Sequence, residues 1–174
     1  PFDVGFIPRN DYAAASAAIT EKTGAVIVEP VQGVAGALDL PKQLLEMLRK
    51  RCDETGAVLI FDEVQCGVGR TGHPFAANLY GVTPDMITFA KGITNAAVPM
   101  AGVMASKGIY DAFMTGPEHM VELFHGYTYS GHPAAAAAGL ATLDIYKDEG
   151  LFERAQKLEA PFADAMHSLK GEPN

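Results

Sequence analysis

Ala57-Val-Leu-Ile-Phe-Asp-Glu63 sets five apolar residues against two carboxylates. A short continuous apolar run that starts after Gly56 reads as a buried strand. Before it, Leu44, Leu45, Leu48 and Cys52 recur at helical spacing. Pro41 suits the first turn of that helix and Gly56 its end. Further back, Ala25-Val-Ile-Val-Glu-Pro30 is a second β-branched run, ended by proline. Strand, helix, strand over this length is a βαβ unit, so parallel strands and a right-handed crossover are expected. Beyond the quoted stretch, Asp85–Lys91 and Ala101–Ser106 read as a third and a fourth strand. Lys107–Met114, Pro133–Lys147 and Leu151–Leu169 read as helices. The alanine-rich patches at 13–18 and 134–138 favour helix as well. The pattern predicts an α/β fold with a mainly parallel sheet and flanking helices.

Composition narrows the function classes. The 174 residues are 48% hydrophobic and 20% charged, a globular balance in a chain long enough for about one domain with a sizeable core. The formal net charge of -8 argues against nucleic acid and anionic membrane, which select clustered Lys and Arg. No apolar run approaches the roughly 20 residues that span a bilayer. Cys52 and Cys66 form no C-x-x-C pair and read as reduced, cytosolic thiols. The five His form no ligand pair on one helix face, so no metal is expected. No secretory signal pattern opens the chain, and Pro1 in place of Met reads as a processed or truncated piece.

In open parallel sheets, ligands gather at the carboxyl ends of the strands. Those ends carry Glu29, Asp62, Glu63 and Lys91. Lys91 reads either as a solvated cap or as a partly desolvated amine. Desolvation disfavours the ammonium form, which suits a Schiff-base lysine. A strand-end carboxylate reads either as a turn cap or as the partner of a protonated pyridine nitrogen, the arrangement that makes pyridoxal phosphate (PLP) an electron sink. Gly67-Val-Gly-Arg-Thr-Gly72 spells G-x-G-x-x-G. Asp62–Cys66 separate it from the strand and His73-Pro74 follow it, so a Gly-rich turn is expected there rather than a dinucleotide loop.

Four ordered motifs then carry a resemblance. They are Val28-Glu-Pro-Val-Gln-Gly33, Phe61-Asp-Glu-Val-Gln-Cys-Gly-Val-Gly-Arg-Thr-Gly72, Pro84-Asp-Met-Ile-Thr-Phe-Ala-Lys-Gly92 and His125-Gly-Tyr-Thr-Tyr-Ser-Gly-His-Pro133. Together they resemble class III (ω-type) PLP-dependent aminotransferases, and the last motif most resembles the ω-amino acid (β-alanine)–pyruvate branch. The resemblance covers nearly the whole chain and is weakest before Thr23.

The resemblance implies a fold-type I transferase. Residues 1–174 would form the central part of its large domain, without the N-terminal phosphate-loop region or the C-terminal small domain. Lys91 would form the Schiff base with PLP and shuttle the proton. Asp62 would pair with the pyridine nitrogen, Val64 would pack on the ring face, and Gln65 would lie near the ring oxygen. If the strand continued past Asp62, alternation would point residues 62 and 64 the same way. Thr128 would donate its hydroxyl to the cofactor phosphate of a partner subunit, which implies a homodimer or homotetramer with shared sites. Glu29 and Arg70 are expected to be structural. The reaction implied moves an amino group from an ω-amino acid or amine donor to pyruvate, in the cytoplasm. The alternatives are a 2-oxoglutarate-using enzyme of the ornithine or 4-aminobutyrate type, or a non-catalytic α/β nucleotide-binding fragment. The 174 residues alone are expected to turn over little.

Overall fold

The computed structural model describes residues 2–172 except 121, 122 and 124. Its centre is a four-stranded sheet in the order β1 (Ala25–Val28), β4 (Val58–Asp62), β5 (Met86–Ala90), β6 (Ala101–Ala105). β1 pairs with β4 in parallel, with Val28 opposite Phe61. β4 pairs with β5 in parallel, with Asp62 opposite Thr88. The sheet is thus mainly parallel, as expected. β6 runs antiparallel to β5, with Ala90 opposite Ala101. Two strands too short to show as periodic runs, β2 (Val31–Gln32) and β3 (Leu38–Asp39), form a separate antiparallel pair.

One face of the sheet holds the core. α2 (Lys42–Thr55) buries Leu44, Leu45, Leu48 and Cys52, the stripe that helical spacing marked out. It packs on Leu59 and Phe61 of β4, together with Ala15 and Ile19 from α1 (Tyr12–Ala18) and its end. Pro41 stands at the N-cap, and Gly56 closes the helix in the left-handed region at φ 76°. Arg49 of α2 reaches Asp85 at 2.8 Å, and the Asp85 carboxylate accepts the Leu59 amide at 2.7 Å. That bond ties the start of β5 to β4, so β5 begins at Met86 rather than at Asp85.

The other helices follow the sheet. α3 (Ala76–Tyr80) was not legible as a run, and it buries Ala76 and Tyr80. α4 spans Lys107–Phe113, α5 Pro133–Asp148 and α6 Leu151–His167. Both cysteines are buried and free. Burial raises both thiol pKa values, that of Cys66 to about 11. Among the described residues, no helix is long and apolar enough to cross a membrane.

Candidate active site

The carboxyl ends of β4 and β5 lie side by side, and the candidate residues meet there. Leu59 and Phe61 of β4 face the core, so alternation turns Asp62 to the opposite face of the sheet. One oxygen of its carboxylate, Oδ1, accepts the Thr88 hydroxyl and the Val64 amide, each at 3.1 Å. Its other oxygen, Oδ2, accepts nothing among the described residues. β4 stops at Asp62 and the chain turns from Val64. The strand does not continue past Asp62, so alternation does not place Val64, whose amide is held by this Asx-type bond.

Glu63 goes the other way. It is fully buried, and its carboxylate accepts the amides of Ala76 at 2.5 Å and Ala77 at 2.8 Å. These are free donors at the start of α3, so a side chain far back in sequence satisfies them. Burial holds the Glu63 carboxyl above its ordinary 4.5, although the two amides and the Cys66 thiol favour its charged form. The Gly-rich stretch 67–72 begins directly below, its Gly67 amide bonded to the Glu63 carbonyl at 2.8 Å. It forms a turn, not a helix-opening loop. Arg70 donates to the Gly67 carbonyl within it at 3.3 Å.

Lys91 leaves β5 into a 3-10 turn (Lys91–Ile93) with φ 54°. A left-handed backbone costs a residue with a side chain about 1–3 kcal/mol, and such positions cluster at functional sites. The amine is exposed, as the solvated-cap reading has it, and without the apolar cover of the alternative. Instead, Nζ donates to Oε1 of Gln65 at 2.5 Å. Gln65 in turn lies over Gly33, where a Cβ would sit 2.2 Å from its Cγ. Glu29 accepts the Gly33 amide at 3.1 Å and so fixes the floor beneath Gln65. Four of the candidate residues thus stand at adjoining strand ends or in the turns just past them: Asp62 with Val64 and Gln65 after β4, and Lys91 after β5. Thr128 does not join them: it is exposed in the segment before α5, between exposed Tyr127 and Tyr129.

Two groups at this end of the sheet escaped the sequence reading. Tyr146 of α5 donates to the Gly92 carbonyl at 2.7 Å. Gln156 of α6 donates to the Gly72 carbonyl at 2.6 Å. Both contacts are long-range, and nothing in the local sequence marks them.

A family model for class III aminotransferases matches residues 9–174. The chain belongs to the class III aminotransferases. That family is PLP-dependent. Among similar proteins, the ω-aminotransferase of Caulobacter vibrioides is 61% identical over 145 residues, covering 83% of this chain and 33% of that protein. The β-alanine–pyruvate aminotransferase of Pseudomonas aeruginosa is 50% identical over 152 residues, 86% of this chain and 34% of that one. A solved ornithine aminotransferase from Toxoplasma gondii, described with PLP in partial occupancy at its active site, superposes with a TM-score of 0.85. It is 33% identical and covers 99% of this chain and 40% of that one. The chain spans about a third of the length of the curated relatives named here.

Proposed function

We propose that this class III chain carries the lysine-bearing part of a PLP site. In this reading, residues 1–174 are part of the PLP-binding large domain of an aminotransferase that moves an amino group from an ω-amino acid or amine to pyruvate. The observation that carries the reading is the Lys91–Gln65 hydrogen bond beside the strand-end carboxylate of Asp62. The donor set suits the cofactor: a free primary amine, a carboxylate with one oxygen still open, and a half-buried aliphatic side chain, Val64, next to it.

When bound, PLP supplies an aldehyde that takes up the amino group and a ring that spreads the electron pair released at the substrate carbon. The rest of the work falls to the chain. Lys91 holds the cofactor through Nζ and, once released, moves the proton at the substrate carbon. Gln65 orients that amine through Oε1. Asp62 keeps a proton on the ring nitrogen, and the Thr88 hydroxyl and Val64 amide on its Oδ1 hold the carboxylate in place. Val64 packs on the ring face. Thr128 serves the phosphate of a partner subunit's cofactor in a homodimer or homotetramer. A cytoplasmic setting belongs to the same reading. The relatives support pyruvate as acceptor: the acetylornithine aminotransferase of Pseudomonas syringae is 39% identical, below the ω-amino acid and β-alanine enzymes.

Borohydride reduction followed by peptide mapping tests the reading on the protein that carries this chain. A pyridoxyl-phosphate adduct on Lys91, lost in Lys91→Ala, is the expected outcome. An adduct on another lysine, or none after PLP is added, refutes it.

A further inference from the structure

We propose that Tyr146 is a positioning residue for Lys91, acting through the carbonyl of Gly92. The inference rests on the reading of Lys91 as the cofactor-bearing lysine. A left-handed residue with a side chain persists only where its surroundings over-determine it. Three sets of contacts do so around Lys91.

The first set is local. The amides of Thr94 and Ala96 donate to the Lys91 carbonyl at 3.4 and 3.2 Å, and the Asn95 amide to the Gly92 carbonyl at 3.3 Å. The second is steric. Gly92 is buried against Val68, and a Cβ on Gly92 would lie 2.9 Å from the Val68 Cβ and 3.0 Å from its carbonyl oxygen. Val68 is itself left-handed at φ 53°, an outlier for a β-branched residue. The third comes from far along the chain. The Tyr146 hydroxyl donates to the Gly92 carbonyl, 54 residues away in sequence.

α5 is seated for this task. Gly139 lies seven residues before Tyr146, two helical turns along the same face. It is buried, and a Cβ there would meet the Met100 sulfur at 3.3 Å and the Ile93 carbonyl at 3.7 Å. α5 therefore runs along the lysine turn from Ile93 to Gly92. The Tyr146 ring sits 5.3 Å from that of Phe152 in α6. Phe152 closes on Gly69, where a Cβ would lie 2.9 Å from its ring, and Gln156 binds the Gly72 carbonyl. The α5–α6 corner thus fastens the lysine turn and the Gly-rich turn to each other. The local bonds give the lysine turn its shape. Tyr146 and Val68 decide where that turn stands, and hence where Nζ meets Gln65.

The test compares variants of the protein that carries this chain. Tyr146→Phe keeps the ring on Phe152 and removes the donor. Thr142→Ala is the control, because the Thr142 hydroxyl bonds only within α5, to the Ala138 carbonyl at 2.8 Å. Tyr146→Phe is expected to lower kcat about tenfold, the scale of one hydrogen bond. KM for the amino donor should stay within about twofold. Added PLP should also form the borohydride-fixed Lys91 adduct more slowly in cofactor-free Tyr146→Phe than in the control. A general loss of stability would not produce that split. Gly92→Ala, whose Cβ drives against Val68, is expected to move the same readouts in the same direction. Tyr146→Phe matching Thr142→Ala in kcat and in adduct formation overturns the proposal. An adduct that survives Lys91→Ala overturns the reading of Lys91 instead.

Discussion

Asp62 and Glu63 are neighbours with opposite fates. Both were legible as strand-end carboxylates, and the period of two that buries Leu59 and Phe61 also turns Glu63 inward. What the sequence did not carry was its partner, because the amides of Ala76 and Ala77 belong to a five-residue helix with no periodic signal of its own. The buried carboxyl has a pH consequence. Its native pKa is raised, so the native state holds this proton more tightly than the unfolded chain. Its contribution to stability is full below 4.5 and is lost as pH rises through the native value. Glu63→Gln removes that slope. Denaturant midpoints between about pH 4 and about pH 8 should fall less steeply for the variant than for the parent. Parallel curves would refute the assignment.

At the scale of elements, legibility followed how local the cause was. β1, β4 and α2 are written in contiguous residues, and Gly56 in one. The strands β2 and β3 have two residues each, too few for a period, and the Leu40 amide on the Pro30 carbonyl at 3.1 Å closes the pair. The direction of β6 was not read, although its cue was present: a parallel return needs a dozen or more residues, more than lie between Ala90 and Ala101. Of the two readings of Lys91, solvated cap or partly desolvated amine, the 3-10 turn favours the first by lifting the residue out of the sheet into solvent. The loop that follows β1 supports the same site from below. Gly33→Ala would place a methyl group where the Gln65 side chain now passes. The variant is expected to lose the Gln65–Lys91 bond and about tenfold in turnover, with little change in Tm. Turnover equal to the parent's would show that Gln65 has room to move aside.

For the whole molecule, the open question is what Thr128 does so far from the cluster in bonding terms. If it serves the partner's cofactor, Lys91→Ala and Thr128→Asp impair different subunits' contributions to one site. Each variant alone should be nearly inactive. Random mixing of the two should restore about a quarter of the parent's sites, since half the dimers are mixed and each of those holds one intact site. Mixtures as inactive as the two variants would place Thr128 in the same subunit's site, and an active Thr128→Asp alone would place it in none. Asp62 and Lys91 are legible because they follow apolar runs, whereas Val64 and Gln65 come from the resemblance. Thr128 was named by resemblance alone, and no strand or helix positions it.

The two thiols described with the fold turn the protein into its own recorder. The thiolate attacks alkylating reagents, and burial suppresses both its formation and its access at Cys52 and Cys66. Cys52 lies on the buried face of α2, while Cys66 lies in the turn that leads from Asp62 to the Gly-rich stretch. Labelling at each one therefore counts openings of a different part: the helical layer at one, the wall of the site at the other. Iodoacetamide should modify the two at unequal rates if the site breathes independently of the core, and at one shared rate if the molecule opens only as a whole.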